Sequence, residues 1–442
     1  MALSTQPYRG ARDFYPTDKR TQKYIFGKLR KVVERFGYEE YDAPILEPLE
    51  LYLAKSSQEI VNEQTYVFED RGGRKVVIRP EMTPTVSRMV AARRQELTYP
   101  VRWYSIPNLW RYERPQRGRL REHWQLNVDI FGVEGIEADH EIITLADSIF
   151  RDFGAKPSMY VIKLNSRRFI NFVLNDYLGL DDVQASSIAR LIDRLQKMDR
   201  ADVIAQVGEI CSPSQREQGV VEKLLDVLDA KRFTTLPQSL QNHTALTELN
   251  QTLELLKAGG ISNVEFDVTL MRGFDYYTDI VFEIFDTNPD NNRSLLGGGR
   301  YDALVAQFGV EPLPTVGFGM GDITLTDFLV IHELLPELST ETDLYVVLVG
   351  DILNQAQKPI AELRASGVNV AVELSARNLD KQLSTADKKG IQYVLIIGPQ
   401  ELKEESYTLK NLRSGAEEKH SVARIVSIIE DFRRSRFKLK DQ

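Results

Sequence analysis

One cysteine, Cys211, and five scattered histidines are all that this 442-residue chain offers as soft metal ligands, and none falls into the paired spacings of a structural metal site. A disulfide framework is excluded as well, and the expected location is the reducing cytoplasm. Long apolar runs are missing. The N-terminal stretch MALSTQPYRGARDFYPTDKR has no apolar centre of the signal-peptide kind, so neither a membrane span nor export is expected. Positive charge is not in excess: 56 Lys and Arg against 64 Asp and Glu leave a net charge of −8. That balance argues against indiscriminate nucleic-acid binding by the whole surface, though not against a local basic patch. Neither a G-x-x-x-x-G-K-[ST] loop nor a G-x-G-x-x-G after a first strand occurs, so any nucleotide site must belong to another phosphate-handling fold.

What is present is an ordinary globular composition, 42% hydrophobic and 27% charged, long enough for several domains. Ile25, Leu29, Val32, Val33 and Phe36 recur at helical spacing, which predicts a helix from Thr17 to Phe36 stopped by Gly37. Pro44 and Pro48 make the next segment extended rather than helical. TYVFED and KVVIRP, separated by Arg71, Gly72, Gly73 and Arg74, read as a β-hairpin. Helical periodicity resumes from Glu81 to Ala92, and VRWYSIPNLWRY and HWQLNVDIFG form a second hairpin around an arginine-rich loop. Residues 167–256 change to helical segments and read as an insertion. Strands return in VEFDVTL, YYTDIVFEIF and the run through Gly297, Gly298 and Gly299. After a linker at 329–341, residues 342–434 alternate strand and helix, as a βαβαβ unit with a largely parallel sheet requires.

Three stretches carry chemistry. Between Arg102 and Arg121 stand six arginines, at 102, 111, 114, 117, 119 and 121, against one acid, Glu113. The guanidinium fork donates two charge-assisted hydrogen bonds at fixed geometry, which suits a phosphate. Arg111 and Glu113 share a strand face, placing a cation beside a carboxylate, as a phosphate next to an amine-bearing base demands. Gln125, Asn127 and Asp129 fall on one face of their strand and Leu126, Val128 and Ile130 on the other. In LMRGFDYYTDIVF, the residues Arg272, Gly273, Asp275, Tyr276 and Tyr277 interrupt a strong apolar run, and the three glycines of LLGGGRYDAL permit close backbone approach.

Together the segments RGARDFYP, VVIRPEMTP, WRYERPQRGRLREHWQLNVDIFG, MRGFDYYTD, GGGRYDAL and PTVGFGMG resemble those of the bacterial histidyl-tRNA synthetases, a family of class II aminoacyl-tRNA synthetases, over nearly the whole chain. The resemblance implies an α+β fold. Its catalytic domain, an antiparallel sheet flanked by helices, would occupy 1–328 with the helical insertion inside it, followed by an α/β anticodon-binding domain. It also implies ATP as substrate, Mg²⁺ as cofactor, histidine and tRNA(His) as partners, and a homodimer built on the Pro-punctuated segment, with no membrane association. By matching position, Arg111 would grip the α-phosphate and the histidine carboxylate, Glu113 the adenine amine and Arg119 the terminal phosphates. Arg272 would stabilise charge developing on the α-phosphate. Glu81, Thr83, Gln125, Asp129, Tyr276 and Tyr277, with Arg111 and Arg272, would hold histidine.

The implied activity is histidine–tRNA ligation. The alternative is a synthetase-like regulatory paralogue that senses histidine or supports an ATP phosphoribosyltransferase; such paralogues typically lack the C-terminal domain. One position departs from the family pattern. Where many members read G-[LFM]-E-R-[LI], this chain has Gly321, Asp322, Ile323, Thr324 and Leu325, so Thr324 stands at the arginine. Either another cation such as Arg114, Arg117 or Arg121 substitutes, or ATP affinity is lower, or the chain is the paralogue.

Overall fold

A computed structural model of the chain describes residues 3–53, 64–195, 198–271, 276–291, 293–375 and 378–438. The chain divides into two compact units, residues 1–13 with 24–335 and residues 14–23 with 336–442. The first helix, Pro16–Arg35, lies within one residue of its expected bounds.

In the first unit the strands are β1 (Glu39–Glu40), β2 (Leu46–Pro48), β3 (Tyr66–Glu69), β4 (Lys75–Ile78), β5 (Val101–Ser105) and β6 (Asn108–Trp110). They continue with β7 (Glu122–Phe131), β8 (Tyr160–Ser166), β9 (Val264–Phe266), β10 (Ile280–Asp286), β11 (Ser294–Arg300) and β12 (Thr315–Gly321). Among the described residues nine of these make one sheet in the order β1-β5-β7-β12-β11-β10-β8-β9, with β6 pairing the end of β7. All pairings are antiparallel except those of the outermost strands β1 and β9. A mainly antiparallel sheet can keep one face apolar and give the other to a ligand.

β7 does this by strict alternation. Leu126, Val128 and Ile130 enter a large core with Ile142, Ile143, Ala146 and Ile149 of the helix Glu137–Asp152, while Gln125, Asn127 and Asp129 point to the opposite side. There a second core forms from Tyr41, Met82, Val86, Val90, Leu109 and Phe131, against which Trp103 packs. The helix Thr83–Ala92 thus covers one end of the polar face. It starts two residues later than the periodicity predicts, with Pro84 in its first turn, a position where the missing N–H costs no helical bond.

The expected run VRWYSIPNLWRY is two strands. Pro107 has no N–H to give a neighbour, and its carbonyl accepts from the Gln125 N–H at 3.2 Å between β5 and β6. The expected hairpin of TYVFED and KVVIRP is observed as β3 and β4, and β2 pairs the other edge of β4. Helices at 167–194, 200–228 and 244–258, joined by short turns, fill the insertion. Ile188, Val203, Leu224 and Leu249 share the core of the main sheet.

The second unit contains β13 (Leu344–Leu348), β14 (Val370–Val372), β15 (Tyr393–Ile397), β16 (Tyr407–Asn411) and β17 (Glu417–His420), in the order β14-β13-β15-β16-β17. The first three are parallel, as the alternation of strand and helix predicts. β16 and β17 add an antiparallel hairpin. Helices Leu353–Ala365 and Val422–Lys438 bury Ala356, Ile360, Leu363, Ile425 and Ile429 against this sheet. Among the described residues no helix is long and apolar enough to cross a membrane.

Candidate active site

The polar face of β7 ends at Asp129, only 4% exposed, which accepts a short hydrogen bond from the buried Tyr301 hydroxyl. Burial raises the Asp129 carboxyl to about 7, and the Tyr301 bond only partly opposes this. The same desolvation and the carboxylate beside it hold the Tyr301 phenol well above its ordinary value. Tyr276 and Tyr277 complete an aromatic wall, with ring centroids of Tyr276 at 4.9 Å from Tyr277 and 5.6 Å from Tyr301. Tyr301 therefore joins the expected Asp129, Tyr276 and Tyr277. It follows Arg300 in the GGGRY run, and a polar-tipped aromatic after a glycine run was its only signal.

Backbone forms the floor beneath these side chains. Opposite β7, Gly317 pairs with Asp129 and Gly319 with Asn127, and on β11 Gly299 and Gly297 face Gly317 and Gly319. A Cβ on Gly317 would overlap Asp129 Oδ1 and lie 2.7 Å from the Val128 carbonyl oxygen. A Cβ on Gly319 would come within 2.8 Å of Gln125 Nε2, and one on Gly299 within 2.9 Å of the Tyr277 ring. Real Cβ atoms do not approach so closely, so the glycines are needed for the site to exist. Arg300, next in line, is structural: it is buried, pairs with Asp139, and donates to the Val133 and Gly135 carbonyls at 3.0 and 2.8 Å.

At the other end of β7 the face becomes cationic. Arg111 Nε donates to the Pro80 carbonyl at 2.9 Å, which ties the arginine hairpin to the segment bearing Glu81 and Thr83. Glu81 is 3% exposed and Thr83 opens the helix Thr83–Ala92. Tyr52 steadies this start, donating to the Glu81 carbonyl at 3.2 Å with its hydroxyl 3.1 Å from that of Thr85. Glu113 and Arg119 are brought together across the hairpin as an ion pair, Nε to Oε2 at 2.7 Å, with Glu113 buried and Arg119 partly exposed. The tip between them closes through reciprocal backbone bonds of 2.9 Å between Gln116 and Arg119, with Gly118 at φ +72°.

His123 shares the face of Gln125 and Asp129 and was missed in the sequence, although the two-residue period reaches it. Burial, then the guanidinium groups of Arg111, Arg12 and Arg119, lower it to about 3, so it is a neutral imidazole among cations. Arg12, from the RGARDFYP motif, pairs at 2.7 Å with buried Asp322, whose other oxygen accepts from the Trp124 N–H at 2.9 Å. The motif thus clamps the end of β12 to β7. Arg121 is engaged elsewhere: it donates to the Tyr8 hydroxyl at 2.9 Å and the Glu113 carbonyl at 3.1 Å and lies 3.9 Å over the Tyr112 ring. Arg272, the expected transition-state cation, falls outside the described residues.

The site is therefore a strand face with an acidic, aromatic-walled end over glycine and a guanidinium-rich end, built on an antiparallel sheet. The family model for histidyl-tRNA synthetase matches residues 10–322, and that for an anticodon-binding domain matches 343–432. The chain is 42% identical to a histidine–tRNA ligase of Leptospira biflexa over 93% of its own length and 94% of the relative's. It is 36% identical to that of Thermoplasma volcanium over 97% and 99%. A crystal structure of the histidyl-tRNA synthetase from Nostoc shares the fold with a TM-score of 0.79 at 24% identity, covering 97% of this chain and all of that one. The chain belongs to the histidyl-tRNA synthetase family.

Proposed function

We infer that the chain is a histidine–tRNA ligase, which joins histidine to ATP as histidyl-adenylate and transfers it to the 3′ end of tRNA(His). The observation that carries this reading is the pairing of a buried Asp129–Tyr301 acceptor with an arginine-lined end on the same strand face. The match of residues 343–432 to an anticodon-binding domain favours it over the regulatory paralogue.

In the first step a histidine carboxylate oxygen attacks the α-phosphorus and pyrophosphate leaves. Arg111, held by Pro80, draws the carboxylate and the α-phosphate together, which supplies orientation and offsets their repulsion. Arg272 takes the charge that builds on the α-phosphate. Arg119 meets the terminal phosphates, while Glu113, bound to Arg119 through Oε2, accepts from the adenine amine at Oε1. Asp129 accepts the imidazole N–H with the tyrosines as walls, and Glu81, Thr83 and Gln125 receive the α-ammonium. In the second step the terminal ribose hydroxyl of the tRNA attacks the adenylate carbonyl and AMP leaves. No protein nucleophile is involved.

Mg²⁺ shares the pyrophosphate charge when bound. Among the described residues no three Asp, Glu, His or Cys converge as a metal cage, and an ion carried mainly by substrate phosphates requires none. The homodimer is supported by exposed Leu46 on β2 and Phe68 on β3, which the register places on one face of the β2-β4-β3 sheet, an apolar surface that a second copy would cover. The cytoplasm suits a chain with one free, buried cysteine. Histidine-dependent exchange of pyrophosphate into ATP, followed by charging of tRNA(His), tests the reading. Absence of exchange at any ATP concentration would return the chain to the regulatory class.

A further inference from the structure

Thr324, at the family's arginine position, leaves the phosphate end one cation short, and its hydroxyl is spent on the Leu295 and Gly321 carbonyls at 3.2 and 3.3 Å. Arg293, the residue just before β11, lies where that cation would be needed. A Cβ on Gly118 would sit 2.7 Å from Arg293 Cδ, 3.3 Å from its Nε and 3.6 Å from the Thr324 methyl. The arginine stem and the threonine methyl therefore meet over the α-hydrogens of Gly118, at the tip of the phosphate hairpin. Only a glycine leaves room for them.

The Arg293 guanidinium is partly buried, and among the described residues neither a carboxylate nor a carbonyl pairs with it. Burial and then the neighbouring Arg119 lower its pKa, while Glu113 opposes. Two guanidinium groups thus lie within electrostatic reach of each other and of one carboxylate, Arg119 in an ion pair with Glu113 and Arg293, among the described residues, in none. Such an arrangement costs free energy unless an anion comes to share it.

We propose that Arg293 binds the terminal phosphates of ATP beside Arg119, from strand β11, and so replaces the arginine the family carries at position 324. The identity of the anion rests on the ligase reading; the existence of the two-arginine site does not.

Equilibrium dialysis with ATP and AMP, run beside pyrophosphate exchange, tests this on the full chain. Arg293→Ala should weaken ATP binding about 10- to 100-fold, the value of one charge-assisted contact, with AMP binding and the KM for histidine little changed. Arg293→Lys should keep part of the affinity, since charge survives but the fork does not. Thr324→Arg should restore ATP binding in the Arg293→Ala background and bring no gain alone, because there it crowds Arg293. Wild-type ATP affinity in either Arg293 variant would overturn the proposal, as would equal loss of ATP and AMP. ATP binding that depends on Arg293 without histidine-dependent exchange would sink the ligase reading and leave the arginine site standing. Normal exchange with unchanged ATP affinity in Arg293→Ala would do the reverse.

Discussion

Asp129 shows how much one carboxyl can be asked to bear. In the unfolded chain it titrates near 3.8 and in the fold at about 7. Between these values the unfolded chain has released a proton that the folded one keeps. The stability associated with Asp129 is thus fully present below about pH 4 and is lost as pH rises through 7. Asp129→Asn keeps an acceptor for Tyr301 and removes that loss. The variant should be more stable than wild type at pH 8, by on the order of 3 to 4 kcal/mol, with the difference vanishing toward pH 4. Melting curves at the two pH values check this. The same substitution should raise the KM for histidine, because an amide is a weaker acceptor for the imidazole N–H than a carboxylate. The sequence shows Asp129 plainly, since polar residues at a two-residue period in an apolar strand stand out. It hides Tyr301, because the hydrogen bond joins residues 172 positions apart.

At the scale of elements, β11 and β12 function through what they lack. Gly317→Ala would drive a methyl into Asp129 Oδ1 and the Val128 carbonyl, so the strands must part or Asp129 must turn. A loss of about 1 to 3 kcal/mol in stability is expected, with a rise in the KM for histidine larger than that for ATP. Thermal unfolding and exchange kinetics separate the two effects; equal KM changes would place the damage elsewhere. Strands of this kind were legible because their apolar flanks alternate, whereas their floor was not: three adjacent glycines read as weak until the register with Gly317 and Gly319 is known. The hairpin of β16 and β17 escaped the sequence reading for a different reason. Glu417, Glu418 and Lys419 are exposed at a sheet edge, where charge deters further pairing and also erases the apolar period. Within the same unit Arg433 forks onto buried Asp343 and donates to the Gly367 carbonyl at 2.9 Å, pinning the last helix to the sheet. Arg433→Ala leaves buried Asp343 without its cation, keeping only the Asn369 N–H at 2.9 Å, and should destabilise that unit by about 2 kcal/mol. Charging of tRNA should fall while pyrophosphate exchange holds, and a parallel loss of both would count against separate roles.

For the molecule as a whole, the exposed Leu46 and Phe68 on one face of the β2-β4-β3 sheet are the feature most at odds with a chain working alone. Phe68→Asp places a charge on an already exposed position, so the fold should survive while association does not. Sedimentation should show pairs of chains in the wild type and single chains in the variant; a wild type that sediments as one chain would rule out the dimer. The glycine floor has a consequence of another kind. Because main chain rather than side chain lies under the Asp129 end of the face, almost any substitution there adds bulk and none can remove it. Selection or design for a different amino acid would find that side closed, and would have to work through Asp129 and the tyrosine wall, where each change also disturbs a buried hydrogen bond. A pocket floored in this way is slow to drift toward a new substrate, which is a useful property in an enzyme whose mistakes would be written into every protein of the cell.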